Sequence, residues 1–342
     1  MAYTTIDDPT IYFNTKLYTG TGSSNALTGI NFQPDWVWIK RRNSAGGNML
    51  TDVIRGVTKT IITNETGAEQ TFSNGLTAFG SDGFTVGSED GFNKASDTFV
   101  AWNWKAGGSA SSNSNGSITS SVSANTTAGF SIGTYNGSGS DNTVGHGLGV
   151  APDMIFVKCK STAHDWVVYH SALGNAKILT LNASTAAQSA TGWQSTSPTS
   201  SVFSIDNAAN SLNQSGQSFV FYAMASKKGY SKFGSYTGNG NADGTFVYTG
   251  FKPAWVLYKK SSGTENWFLH DNKRQGFNPD NELLFADLSN AEGTVNRIDL
   301  LSNGFKARTS DGGINGSGAT YIYMAFAESP FVTSTGIPTT AR

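Results

Sequence analysis

Two histidine–aspartate pairs are the residues whose types and spacing could support acid–base chemistry. They are His164-Asp165 and His270-Asp271, and each lies close to a tryptophan. A carboxylate beside an imidazole can orient the ring as a general base. The pairs occur within a repeat, however, and the first copy of that repeat places Asp52 where a histidine could stand. A catalytic set need not recur in degenerate form, so the pattern favours a structural role.

Other catalytic signatures are missing from the sequence or lack their structural context. The glycine-rich stretch around His146 resembles a phosphate-binding loop, but no helix is predicted after it and no Gly-Lys-Ser/Thr follows. Gly-x-Ser-x-Gly, His-Glu-x-x-His and Cys-x-x-Cys do not occur. Acidic residues near turns could bind calcium, but without EF-hand spacing. We therefore predict no catalytic residue, metal or cofactor, and keep a polysaccharide depolymerase as an alternative to a non-enzymatic protein.

Aromatic residues beside polar loops suggest a different chemistry, the binding of sugars by ring stacking and hydrogen bonding. The alternative for any such tryptophan is that it closes the end of its own domain and belongs to the core. Trp36, Trp38 and Trp255 lie within apolar runs and are assigned to the core. The predicted glycan-binding residues are Trp166, Trp193, Trp267, His170, His270 and Asp271.

A sequence motif that occurs three times defines the elements that must position these residues. Each copy has a Tyr-x-Gly-x-Gly turn, starting at Tyr18, Tyr135 or Tyr236. A proline follows the tyrosine after 16, 17 and 17 positions, and a lysine follows the proline after 6 positions in every copy. A repeat of this length indicates a small domain. The predicted units are residues 13–106, 130–226 and 230–331.

The repeats predict strands rather than helices. Short apolar runs rich in β-branched and aromatic residues are bounded by Gly, Pro and Asn, as in strands buried on both faces. The sequences 81–84 (Ser-Asp-Gly-Phe) and 302–305 (Ser-Asn-Gly-Phe) predict hairpins. The sequence therefore predicts an all-β chain of three tandem jelly-roll or lectin-like β-sandwiches, with a three-bladed propeller as the alternative.

The segments between the units have their own composition. Residues 107–129 are almost wholly Gly, Ser, Asn, Thr and Ala, which predicts a flexible linker, or alternatively an edge strand at 116–122. Only residues 227–229 join the last two units, so these should pack together more rigidly than the first two. Residues 1–12 are predicted to be an N-terminal docking segment, and residues 332–342 a C-terminal tail.

Composition narrows the classes of function. The net charge is −1 and charged residues make up 14% of the chain, which gives no basis for nucleic-acid binding. No stretch approaches the ~20 apolar residues of a membrane span, and the N-terminus has no signal-peptide pattern. Cys159, the only cysteine, is expected to be a core residue. We expect synthesis in a reducing cytoplasm without classical export.

Several of these phrases together resemble a family of structural proteins of marine tailed bacteriophages. They are Tyr3-Thr4-Thr5-Ile6, residues 18–22 with 33–40, the join at 228–240 and the close at 321–331. The resemblance covers essentially the whole chain. It implies a tail-fibre-like virion protein with laminin-G-like or concanavalin-A-like domains and supplies no catalytic motif.

The resemblance also sets the expected partners. The chain would dock to other virion proteins through its N-terminal segment, contact a host-surface polysaccharide and assemble in the host cytoplasm, with a homo-trimer as one expected assembly. The alternative is a protein that decorates the capsid or its vertices. Neither a nucleic acid nor a membrane is an expected partner.

Overall fold

The computed structural model describes residues 3–207 and 209–340. Nearly all of its regular structure is β-strand, which confirms the predicted all-β class. The helical elements of the described residues are two short α-helices, α1 (Asp90–Asn93) and α2 (Asn210–Asn213), and two 3₁₀ turns, Pro9–Ile11 and Ser171–Leu173. None of the described helices is long and apolar enough to cross a membrane.

The first segment of the chain forms a six-stranded antiparallel sheet and a three-stranded sheet. Its strands are β1 (Phe13–Thr19), β2 (Asn25–Leu27), β3 (Trp36–Arg41), β4 (Asn48–Asp52), β5 (Lys59–Ile62), β6 (Gln70–Thr71), β7 (Leu76–Gly80), β8 (Gly83–Val86) and β9 (Thr98–Trp104). The large sheet has the order β1-β9-β3-β4-β5-β6, and the small one β2-β8-β7.

The second segment repeats this plan with an eight-stranded and a two-stranded sheet. Its strands are β10 (Ser111–Asn113), β11 (Ser120–Asn125), β12 (Phe130–Asn136), β13 (Asn142–Gly145), β14 (Met154–Cys159), β15 (Val167–His170), β16 (Lys177–Thr180), β17 (Gln188–Ser189), β18 (Val202–Ile205) and β19 (Ser218–Met224). The orders are β10-β11-β12-β19-β14-β15-β16-β17 and β13-β18.

The third segment is a single eight-stranded sheet that folds over itself. Its strands are β20 (Ser231–Thr237), β21 (Phe246–Tyr248), β22 (Phe251–Lys260), β23 (Trp267–Asp271), β24 (Asp280–Phe285), β25 (Gly293–Leu301), β26 (Gly304–Ala307) and β27 (Thr320–Pro330). The order is β20-β27-β22-β23-β24-β25-β26-β21. Strand β24 pairs with both β23 and β25, which joins the two layers.

Each large sheet is covered on both faces, which is why its central strands are buried throughout. One face packs against a core cluster inside its own segment. The other face joins a single aromatic cluster to which all three segments contribute. In that cluster the ring of Trp36 lies 4.7 Å from Tyr222 and 6.0 Å from Trp38, which itself lies 6.4 Å from Trp255. The three segments therefore surround a common core.

The Tyr-x-Gly-x-Gly motif is explained by two hydrogen bonds that recur in each segment. The hydroxyls of Tyr18, Tyr135 and Tyr236 donate to the carbonyl oxygens of Phe92 (2.6 Å), Leu212 (2.6 Å) and Ile314 (2.9 Å). The next residue in each case, Asn93, Asn213 or Asn315, is buried and accepts with Oδ1 from the backbone N–H between the two glycines. The first glycine is required by close approach, since a Cβ on Gly20 would lie 2.1 Å from the Lys94 carbonyl oxygen.

The two predicted hairpins are confirmed, and the neighbouring strands add a second requirement for their glycines. Gly83 and Gly304 open β8 and β26 directly after two-residue turns. A Cβ on Gly83 would lie 1.9 Å from the carbonyl oxygen of Leu27, and one on Gly304 would lie 2.1 Å from that of Val247. The neighbouring strand therefore excludes a side chain at both positions, and at Gly83 the backbone φ of 158° disfavours one as well.

The prediction that residues 107–129 are a flexible linker is wrong. Strands β10 and β11 lie in this stretch, and β11 pairs with β12 from Ser121 to Asn125. Val122 and Ser123 are buried. The few apolar residues of the stretch, among them Val122 and Ala128, pack into core clusters formed largely by other strands. The alternative of an edge strand at 116–122 was nearer, although β11 lies slightly later and is flanked by β10 and β12 rather than standing at the edge.

The described parts of both chain ends pack against the third segment. The Tyr3 hydroxyl donates to the Gly250 carbonyl oxygen at 2.7 Å, and the Thr4 hydroxyl donates to that of Lys228 at 2.7 Å. Ile6 is buried in the shared core. Residues 1 and 2 of the predicted docking segment, and 341 and 342 of the predicted tail, lie outside the described residues.

Candidate functional site

The six predicted glycan-binding residues are all buried, so none of them can stack against a sugar at the surface. Each exposes 1% or less of its surface. The polar loops beside Trp166 and Trp267 come together with loops of the neighbouring segment, and this contact removes both side chains from solvent. The large aromatic rings that solvent does reach among the described residues include Phe246, Tyr248 and Phe277.

Trp166 and Trp267 link one segment to the previous one. The indole N–H of Trp166 donates to the Ile62 carbonyl oxygen at 3.1 Å, and that of Trp267 donates to the Thr180 carbonyl oxygen at 2.9 Å. We call the contact between the first and second segments the first seam, that between the second and third the second seam, and that between the third and first the third seam. In the third seam, Asn48 occupies the tryptophan position and donates from Nδ2 to the Leu288 carbonyl oxygen at 3.0 Å.

A second set of equivalent residues, four positions after the tryptophan position, crosses the same three seams. Its members are Asp52, His170 and Asp271. Asp52 Oδ2 accepts from the Tyr222 hydroxyl at 2.6 Å, and Asp271 Oδ2 accepts from the Trp102 indole N–H at 3.0 Å. His170 Nε2 lies 3.3 Å from the Tyr323 carbonyl oxygen. The chemistry that suggested a general base or a sugar ligand is therefore used to hold the segments together.

The backbone confirms that the seams are equivalent. Two N–H to carbonyl bonds cross each seam at corresponding positions. They are Glu69 to Lys160 (2.8 Å) and His164 to Thr66 (3.0 Å) at the first seam, Ala187 to Ser261 (2.9 Å) and Glu265 to Ser184 (2.9 Å) at the second, and Glu292 to Arg42 (2.7 Å) and Gly46 to Ser289 (2.8 Å) at the third. The contacts run first to second, second to third and third to first, so the chain closes into a ring. The first pair of segments is held as firmly as the second, which corrects the expectation of a looser first join.

The repeated lysine is a seam residue that sequence reasoning missed. Lys40, Lys158 and Lys259 are fully buried. Their ammonium groups donate to loop carbonyl oxygens across the seams: Lys40 to Leu288 (2.9 Å), Lys158 to Thr66 (2.8 Å) and Lys259 to Ser184 (3.1 Å). Burial lowers the pKa of Lys40 to about 7 and those of Lys158 and Lys259 to about 8. The sequence signal for this role was a lysine at the same position of a predicted buried strand in every repeat.

Trp193 and His270 lie within single segments. The Trp193 ring lies 5.6 Å from that of Tyr169, inside the second segment. His270 stacks on Tyr258 with ring centroids 5.8 Å apart, and its Nδ1 lies 3.6 Å from Asp280 Oδ1. Burial lowers the pKa of His270, although Asp280 opposes the shift. Within residues 3–207 and 209–340, no group of three or more His, Cys, Asp or Glu side chains is arranged to hold a metal ion.

A surface cleft in the second segment is the candidate functional site. It has a volume of about 370 Å³ and lies between β15, β16, β17 and the short helix α2. Its floor is apolar and its rim is polar. The floor includes Val167, Ile178 and Leu212, and the rim includes Asp165, Gln188 and Asn210. Small-molecule sites typically have volumes of about 300–1,000 Å³, so this cleft is at the small end of the range.

Comparison with known proteins places the whole ring in one family. Residues 8–330 match the family described as "Domain of unknown function (DUF7483)". The chain belongs to that family. The match runs through all three segments rather than one repeat. No curated protein matches the chain.

Proposed function

We propose that the chain is a non-enzymatic structural protein of a bacteriophage particle, associated with the tail or a fibre and contacting a host-surface glycan. The observation that carries this proposal is the ring of three equivalent seams. The residues most capable of chemistry, among them Asp52, His170 and Asp271, make contacts between segments. Such use of buried polar groups gives a rigid body, which suits a component of a particle that bears load. The resemblance of the phrases at 18–22, 33–40 and 321–331 to virion proteins of marine phages supports the same reading.

The ring also constrains how the protein would dock to its neighbours. Residues 3–12 pack against the third segment, through Tyr3, Thr4 and Ile6 among others. Docking to other virion proteins would therefore use the folded surface that includes this segment. A flexible arm is not required.

Decoration of the capsid is the second candidate, and the pseudo-three-fold arrangement favours it. A body whose seams repeat around an axis can present similar surfaces to three neighbours, as is needed at a three-fold position of a shell. The fibre role, by contrast, requires only that the ring present one surface to the host.

The location of the chain on the particle tests both candidates. We would reconstruct particles of the encoding virus by electron cryo-microscopy and fit the ring into the density. Density at the tail or on fibres supports the leading proposal, and density on the shell supports decoration. Absence of the chain from purified particles, checked by mass spectrometry of their proteins, would overturn both.

A further inference from the structure

The cleft of the second segment exists because one buried position differs among the three repeats. Val167 follows Trp166 at the start of β15. Met49 and Phe268 occupy the corresponding positions in β4 and β23, as the pairing of each strand with its neighbour shows. All three side chains are largely buried. Valine is the smallest of the three, so it leaves space that the other two fill.

A second position changes in the opposite direction. Gly91, Ser211 and Gly313 each stand two residues before the buried asparagine of their segment. A Cβ on Gly91 would lie 2.3 Å from Met49 Cε, and a Cβ on Gly313 would lie 2.8 Å from Phe268 Cζ. A glycine thus makes room for the large side chain in the first and third segments.

In the second segment the same two positions hold Val167 and Ser211, and both line the open cleft. The third segment is filled further, because the Arg297 guanidinium lies 4.6 Å from the centre of the Phe268 ring. The two changes therefore distinguish the second segment from the first and third. At this place in the fold the first and third segments are packed, whereas the second has a cleft that solvent can enter.

The rim of the cleft offers hydrogen-bond donors and acceptors without positive charge. Gln188 and Asn210 are exposed amides, and Asp165 contributes a carboxylate that is held in place by a 2.8 Å bond from Asn182 Nδ2. Asn182 Oδ1 also accepts from the Trp166 N–H at 2.7 Å. The seam that anchors Trp166 thereby fixes one side of the rim. The described residues that line the cleft include no Lys, Arg or His, so the only charge that an anion would meet there is the negative charge of the Asp165 carboxylate.

We propose that this cleft binds one neutral sugar residue of a glycan. Hydroxyl groups of a sugar need the mixed donors and acceptors that amides and a carboxylate provide, and its C–H face can pack on the floor formed by Val167, Ile178 and Leu212. The volume is suited to one small ring. The proposal names the site of the glycan contact in the proposed function and rests on that function only for the source of the glycan.

The test is saturation-transfer NMR on the full chain with glucose, galactose, mannose and N-acetylglucosamine as separate probes and glucuronic acid as the anionic probe. We expect transfer to at least one neutral sugar and none to glucuronic acid. The double variant Val167→Met with Ser211→Gly copies the packing of the first segment, so it should fill the cleft, keep the thermal unfolding midpoint and abolish the signal.

Two rim variants keep the test valid if the double variant fails to fold. Gln188→Ala and Asn210→Ala change exposed side chains and should weaken transfer without changing stability. Gln217→Ala, a polar side chain of the same segment away from the cleft, is the matched control and should bind as the unmodified chain does. Absence of transfer to all four neutral sugars, or a full signal in the folded double variant, would overturn the proposal. Neither result depends on where the chain lies on a particle, so the two proposals fail separately.

Discussion

The first and third seams each contain a buried aspartate–arginine pair and are called charged here. The second seam, called neutral, contains no such pair, although Lys259 crosses it as its counterparts cross the other two. In the third segment, Arg274 Nε lies 2.6 Å from Asp271 Oδ2, and its Nη1 lies 2.9 Å from Glu292 Oε2. The first segment repeats this arrangement, with Asp52 and Arg55 separated by 2.6 Å. Both arginines are fully buried at the side chain. Burial alone would raise the pKa of Asp271, but the Arg274 guanidinium holds it below its ordinary value.

The second seam has the same backbone contacts without these charges. His170, Leu173 and Ala187 occupy the positions of Asp271, Arg274 and Glu292. The N–H of Ala187 still donates across the seam, at 2.9 Å. The geometry of a seam is therefore set by strands, backbone bonds and the shared aromatic core. The ion pairs are one of two ways to fill the same space, in agreement with the finding that buried pairs can often be replaced by neutral residues.

Removal of one partner from a charged seam should have the largest effect. Arg274→Leu leaves Asp271 buried without its counter-ion, and we expect a loss of about 3–5 kcal/mol in the free energy of unfolding, measured with urea. The matched change in the neutral seam, Leu173→Met, should cost less than about 1.5 kcal/mol. Equal effects of the two variants would contradict the comparison.

Conversion of a charged seam into a neutral one should restore most of that loss. The double variant Asp271→His with Arg274→Leu copies two of the three differing positions of the second seam and leaves Glu292 paired with Arg42. We expect it to be more stable than Arg274→Leu alone by about 2 kcal/mol or more. Urea denaturation of both variants at neutral pH measures the difference. If the double variant were the less stable one, the charges would be essential to that seam.

The neutral seam should be the one that weakens on acidification. His170 Nδ1 accepts from the Ala172 N–H, and burial lowers the pKa of this histidine to about 4 from an ordinary value of 6.5. Between about pH 6.5 and pH 4 the unfolded chain therefore binds a proton that the folded chain does not, so stability falls as the pH falls, by about 3 kcal/mol from this residue.

A comparison with His170→Gln isolates that contribution, because other groups titrate in both proteins. Urea denaturation at pH 7 and pH 4 should show a smaller decrease for the variant than for the unmodified chain. The same decrease in both proteins would exclude His170 as the origin of the pH dependence.

A single indole bond across a seam should have the smallest effect. Trp267→Phe removes the donor to the Thr180 carbonyl oxygen. Trp193→Phe removes the same atoms at a buried indole whose N–H has no hydrogen-bond partner among the described residues. We expect the first variant to lose about 1–2 kcal/mol more than the second. Thermal unfolding of both proteins tests this, and equal losses would mean that the seam bond adds nothing.

The sequence predicted the strands well because their signals are local. The apolar run of β3 indicated burial on both faces, and the turns at Ser81 and Ser302 indicated hairpins. The burial of other residues depends on partners that are distant in sequence. Trp166 stands beside polar residues, and this sequence context indicates an exposed side chain. In the folded chain a neighbouring segment covers Trp166 and buries it. Val122 lies in a polar stretch, yet it is buried because it packs against residues of other strands.

The candidate site was missed for the same reason, although the sequence contained the signal. The aligned repeats show Met49 with Gly91, Val167 with Ser211 and Phe268 with Gly313. Each position alone looks like ordinary variation within a core. The pairing can be interpreted only once the structure shows that the two positions are in contact. The change to a smaller residue at one position and a larger one at the other then explains why a cleft opens in the second segment.

The contact between the chain ends has a consequence for how the ring can be encoded. Asp7 Oδ1 accepts from the Ser334 N–H at 2.6 Å, and the Ser334 hydroxyl donates to Asp7 Oδ2. Since residues near both ends of the described chain meet and corresponding backbone bonds cross all three seams, the order in which the segments follow one another along the gene is not dictated by the fold. A circular permutant that joins the present ends and opens at residues 227–229 would preserve the buried contacts of all three seams.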